Sequence, residues 1–61
     1  MTNERPPIRI GTAERDAAMK ALDAPLEAGR LDVDEYGERS ARASVATTAP
    51  ELAELFDDLP A

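Results

Sequence analysis

The stretch Ala28-Gly29-Arg30-Leu31-Asp32-Val33-Asp34-Glu35-Tyr36 constrains this chain most, because it sets a helix stop directly before a helix start. Gly29 lacks the Cβ that clashes in the left-handed conformation ending many helices. Asp32 is placed as an N-cap whose carboxylate accepts from a free amide of the next helical turn. Glu35, three residues on, can reach back to the Asp32 amide and complete a capping box. Leu31 and Tyr36 stand at the spacing of a hydrophobic staple across that cap. The pattern predicts a helix–corner–helix unit at Gly29–Asp32.

Two further segments flank this corner. Thr12 is the expected N-cap of a first helix, with Glu14 and Asp16 in the turn where the helix dipole favours negative charge. Ala18, Leu22, Pro25 and Leu26 share one face of it, flanked by Met19. Pro25 conflicts with that helix, since it removes a hydrogen bond and clashes with the Ala21 carbonyl. A kink at Pro25 is expected because Leu22 and Leu26 keep their spacing; a break near Asp23 is the alternative. The second helix should run from Asp32 to about Ala46, with Val33, Tyr36, Ser40, Ala43 and Ser44 on its inner side. Glu35–Arg39 and Glu38–Arg42 have the i, i+4 spacing of helical ion pairs. Thr48 with Glu51 suggests a second capping box, and Pro50 is tolerated in a first turn. Leu52, Leu55, Phe56 and Leu59 then form the cleanest amphipathic stripe, ended by Pro60.

Residues 1–11 read as an extended N-terminal arm. Pro6-Pro7 stiffens it, and Ile8-Arg9-Ile10 alternates without an evident strand to pair with. The expected architecture is an all-α, three-helix domain over residues 12–61. At 61 residues the chain forms one domain at most, and a domain this small buries only about 60% of the surface its unfolded form exposes. Much of its apolar content is alanine, so the core should be thin and suited to borrowing apolar surface from a partner.

Composition excludes several classes of function. Thirteen acidic against seven basic residues give a net charge of −6, unlike the clustered Lys and Arg that bind nucleic acid or anionic membranes. The N-terminus lacks the apolar run of a leader, and no stretch approaches the roughly 20 apolar residues of a membrane span. A soluble, cytoplasmic chain is expected. Cysteine and histidine are both absent, which removes disulfides and the usual zinc ligands. The acidic corner from Asp32 to Gly37 resembles the start of a calcium loop, but Tyr36 and Ala43 occupy ligand positions 5 and 12. Capping explains those carboxylates better. Asp57-Asp58 reads as a solvated face. Ser40, Ser44, Thr47 and Thr48 lack a base other than Lys20. No catalytic, cofactor-binding or metal-binding residue is assigned, and an enzyme is not expected.

Two features retain functional interest. One is the stripe Leu52, Leu55, Phe56 and Leu59, a core face that becomes an interface wherever the small-residue second helix leaves it uncovered. The other is a locally basic N-terminal third, Arg5, Arg9, Arg15 and Lys20, which could dock an acidic protein.

The chain from Arg9 to Pro60 also resembles the actinobacterial SHOCT-like family known as domain of unknown function 1707. The resemblance rests on Arg9, Gly11-Thr12, Glu14-Arg15, Gly29-Arg30-Leu31, Asp34-Glu35-Tyr36, Glu38-Arg39, Leu52, Leu55 and Asp58-Leu59-Pro60. Pro25 departs from that pattern. The resemblance implies a small helical module, often at the cytoplasmic N-terminus of proteins that continue into membrane helices or another domain. It carries over no catalytic residue, and the related SHOCT domains are suspected of mediating oligomerisation or protein contacts. The combined expectation is a non-enzymatic interaction or oligomerisation module whose partner is a protein, self or unlike. A regulatory binder of an acidic protein, or the cytoplasmic domain of a membrane-anchored protein, is the alternative.

Overall fold

Pro25 has no amide hydrogen, so a helix running through it leaves the Ala21 carbonyl without its partner. In the computed structural model, which describes residues 8–60, the chain resolves this by stopping and restarting. Helix α1 spans Thr12–Ala21 and α2 spans Asp23–Glu27, with Leu22 between them. Pro25 thereby falls in the first turn of α2, where amides have no intrahelical acceptor in any case. The expected kink is therefore corrected to a break at Leu22. Helix α3 spans Val33–Val45 and α4 spans Ala49–Glu54. Counting α1 and α2 as one interrupted arm, the fold is all-α with three helical arms, as predicted.

The corner forms as the sequence predicts. Gly29 adopts φ of +78°. Around it the Arg30 amide donates to the Pro25 carbonyl at 2.9 Å and the Gly29 amide to the Leu26 carbonyl at 3.1 Å. That crossed pair is a Schellman motif, which satisfies the last carbonyls of α2. Three residues later the Asp32 carboxylate accepts from the Glu35 amide at 2.8 Å, and Glu35 accepts from the Asp32 amide at 3.1 Å. Leu31 is buried between the two devices.

The other two helix starts differ from expectation. The N-cap of α1 is Gly11, not Thr12. Glu14 reaches back to the Gly11 amide at 3.1 Å, so the carboxylate half of a capping box forms at a residue with no side chain to supply the other half. At α4 Thr48 is the N-cap, but its hydroxyl donates to Glu51 Oε1 at 2.9 Å instead of accepting from an amide. The Thr47 hydroxyl donates to the same oxygen at 3.0 Å.

A pairing unforeseen in the sequence ties the two ends together. The Ile10 amide donates to the Thr47 carbonyl at 3.0 Å and the Ala49 amide to the Ile8 carbonyl at 3.1 Å, an antiparallel bridge centred on Arg9 and Thr48. Ile8-Arg9-Ile10 thus has a partner, supplied by the extended turn between α3 and α4. The expected arm over residues 1–7 lies outside the described residues.

The core is as thin as the composition implies. Its buried apolar residues, among those described, are Ala18, Leu22, Leu31, Ala43, Ala46 and Leu55. Met19, Leu52 and Phe56 pack against the cluster formed by Ala18, Ala43 and Leu55. Burying a leucine contributes about 1.5–3 kcal/mol, so three leucines and three alanines make a modest total. On α3 the inner side is Tyr36, Arg39, Ser40 and Ala43; Val33 is 75% exposed and Ser44 is also exposed, contrary to expectation. The small Ala43 side chain lets α1 approach, and that contact sets the rotation of α3.

The two helical-region glycines should respond oppositely to alanine. At Gly29 a new Cβ meets no atom within 4 Å, so Gly29→Ala suffers backbone strain alone, at a cost of about 1–2 kcal/mol. At Gly37, in α3 and equally open, alanine should add about 0.5–1 kcal/mol through helix propensity. Urea unfolding of both variants checks this, and a shift of the same sign for both would contradict it.

Candidate functional site

Once α4 ends at Glu54, the closing residues have only tight-turn bonds of their own. The Phe56 amide donates to the Ala53 carbonyl and the Leu59 amide to the Phe56 carbonyl, both at 3.0 Å. Arg39, from the middle of α3, holds this segment in place. Its Nη1 donates to the Leu55 carbonyl and to Asp58 Oδ1, both at 2.8 Å, and Nη2 donates to Asp58 Oδ2 at 2.9 Å. Such a two-pronged guanidinium–carboxylate pair fixes geometry as well as charge. Arg39 therefore pairs with Asp58 and not with Glu35, whose carboxylate is used in the corner. Asp57 and Asp58 are both exposed, as a solvated face implies, and Asp58 is in addition held by Arg39.

Arg15 does the same at the other end of α3. Its guanidinium donates to the Ala46 carbonyl at 3.0 Å and to the Thr12 hydroxyl at 3.3 Å. Ala46 and Leu55 are the C-cap residues of α3 and α4, where carbonyls lack helical partners and the dipole favours a cation. Each half-buried arginine thus completes the end of a neighbouring helix. A third link joins the arms when the Tyr36 hydroxyl donates to Asp23 Oδ1 at 2.8 Å. The Asp23 carboxylate pushes the Tyr36 phenol above its ordinary pKa.

With the closing segment pinned, its apolar side faces the end of α1 and α2 across a groove of about 580 Å³. Ala21, Ala24 and Pro25 form one part of the wall and Phe56, Leu59 and Pro60 another, with Arg30 also lining it. Phe56, Leu59 and Pro25 are half-buried, while Ala21, Ala24, Arg30 and Pro60 are exposed. The groove is mostly carbon with one cation, a composition suited to an apolar side chain or helix turn. The Tyr36–Asp23 hydrogen bond ties α2, which contributes Ala24 and Pro25 to this wall, to α3.

The structure separates the residues singled out in the sequence. Of the stripe, Leu55 is buried in the core, Leu52 and Phe56 pack on it, and Phe56 with Leu59 reaches the groove. Of the basic strip, Arg5 lies outside the described residues, Arg9 sits on the bridge strand and Lys20 is exposed on α1. Arg15 is committed to Ala46 and Thr12. Ala21, Ala24, Pro25 and Arg30 were absent from the sequence-based interface; the only signal for them was the proline, whose break opens the groove. Ser40 Oγ is buried without a hydrogen-bond partner. Among the described residues no three acidic side chains gather as a metal site would require. No helix among them is long and apolar enough to cross a membrane.

The sequence pattern described as the DUF1707 SHOCT-like domain matches residues 8–60. No curated protein and no solved structure matches the chain. Residues that carry the family pattern here have folding roles: Gly29 and Leu31 form the corner, Glu14 and Glu35 cap helices, and Arg39 holds Asp58.

The pinning interaction should be sensitive to acid. Hydrogen bonds from Arg39 hold the Asp58 carboxyl below its ordinary pKa of 3.8, and the hydroxyls of Thr48 and Thr47 lower that of Glu51. A lowered carboxyl stabilises the fold above the ordinary carboxylate range, and that contribution disappears as the pH falls through the lowered value. Asp58→Asn should therefore unfold at lower urea than wild type at pH 7. The gap should narrow by about pH 2.5, as acid begins to neutralise the carboxylate, and close only once the pH has passed the lowered value. An equal gap at both pH values would show that Asp58 acts through packing and not charge.

Proposed function

Because this chain belongs to the DUF1707 SHOCT-like domain family, whose description names no reaction or ligand, we propose that it is a non-enzymatic protein-interaction module. The groove between α2 and the closing segment is its docking surface. The observation that carries this reading is the groove itself: Phe56 and Leu59 are held half-buried beside exposed Ala21 and Ala24, leaving apolar surface that the thin core does not cover. An interaction module presents such surface on a rigid frame, and here the corner and the Arg39 clasp supply the rigidity.

The lack of any histidine or cysteine supports a binding role over an enzymatic one, since the usual nucleophile–base pairs need those residues or a serine with a base beside it. The alternative of docking an acidic protein through Arg5, Arg9, Arg15 and Lys20 has less support. Arg15, its most central member, already spends its guanidinium within the fold.

A photo-reactive benzoylphenylalanine placed at Ala24, in the cells that make the protein, tests the docking surface. Cross-linked species of discrete mass are expected from position 24. None is expected from the same group at Ala41, which is exposed on α3 away from the groove. Equal cross-linking from both positions, or none from either, would remove the groove from consideration.

A further inference from the structure

The closing segment divides its two chemistries between two hollows. Asp57 and Asp58 line a pocket of about 250 Å³ against α3, where Glu35, Glu38, Arg39 and Arg42 also contribute. Phe56, Leu59 and Pro60 line the groove against α1 and α2. Thirteen residues of the chain are acidic, yet among the described residues none lines that groove. Its one charged lining residue is Arg30. Arg30 is exposed and makes no side-chain hydrogen bond or ion pair with a described residue. The same holds for Arg9 and Arg42; what distinguishes Arg30 is its place in an apolar wall. The charge lining the groove is thus opposite in sign to the net charge of −6.

We propose that the groove binds a medium-chain fatty acid, with its alkyl chain along Phe56 and Leu59 and its carboxylate on Arg30. The volume of about 580 Å³ lies within the roughly 300–1,000 Å³ of small-molecule sites. Carbon surface from Pro25, Phe56 and Leu59 favours an apolar body. Apart from Arg30 no lining side chain can donate or accept a hydrogen bond, so a hydroxyl-rich ligand would lose its water contacts without replacement. A single guanidinium matches a single carboxylate, whose two oxygens fit its planar fork. A phosphate's second charge would find no cation in this lining. The inference goes beyond the docking reading and does not rest on it; a fatty acid and a protein partner would compete for the same walls.

Amide NMR shifts during titration with decanoate, kept below its micelle concentration, test the site. The proteins compared are wild type, Arg30→Gln and Ala24→Phe, with circular dichroism to confirm each fold. In wild type the shifts should saturate and be largest at Ala21, Ala24, Phe56 and Leu59. Arg30→Gln should weaken binding roughly two- to fivefold, the range of an exposed ion pair. Ala24→Phe, which fills the groove from an exposed position, should remove the saturating shifts. Decyltrimethylammonium has the same chain and the opposite charge. The net charge of the protein attracts it, yet it should bind the groove more weakly than decanoate does. Shifts that never saturate, or that centre on the acidic pocket beside α3, overturn the proposal. Equal affinity in Arg30→Gln, or groove binding by the ammonium as tight as by decanoate, overturns it as well. Cross-links from position 24 in the same protein would then leave protein docking standing without the fatty acid.

Discussion

The fold depends on how its chain turns at residues 25–35. Pro25 cannot donate a helical hydrogen bond, yet its carbonyl accepts from both the Arg30 and Leu31 amides. The residue that interrupts the first arm therefore also anchors its end. Gly29 supplies the left-handed step, and the reciprocal Asp32–Glu35 cap begins the next helix within three residues. No other corner among the described residues satisfies so many backbone groups over so short a distance. It fixes the relation of α2 to α3, and the Tyr36–Asp23 hydrogen bond reinforces it.

Beyond the corner, polar contacts at helix ends position the segments that the thin apolar core holds together. The six buried apolar residues among those described, half of them alanine, cannot define the path of every segment. Arg15 reaches the end of α3 and Arg39 the end of α4, each donating to a carbonyl that has no helical partner. These contacts are directional, so they specify position even where they add little net stability. By pinning the closing segment, Arg39 fixes where Phe56 and Leu59 meet the groove.

Local rules made much of this fold legible in advance. The corner, the three-arm architecture, the buried Leu55 and the Pro25 irregularity all come from spacings within eight residues, where capping and periodicity operate. Contacts across the chain were not legible. Arg39 stands four residues after Glu35, which invites a helical ion pair, but Glu35 is taken by the Asp32 amide and Arg39 turns inward to Asp58, nineteen residues on. Arg15 looked like surface charge because nothing local marks the Ala46 carbonyl as its acceptor. Ile8-Arg9-Ile10 found its partner in a turn too short to read as a strand. The groove was hidden for the same reason, since its walls come from segments some thirty residues apart and its apolar lining includes alanines that periodicity assigns to no face.

The domain is then a small frame whose helix ends are tied by Arg15 and Arg39 and whose apolar surface is incompletely covered. That imbalance is the central claim, and the concentration dependence of thermal unfolding tests it most directly. If a second copy completes the buried surface, the midpoint should rise steadily as protein concentration increases from about 1 µM to about 1 mM, because association is then part of folding. A midpoint that stays constant over that range would contradict completion by a second copy.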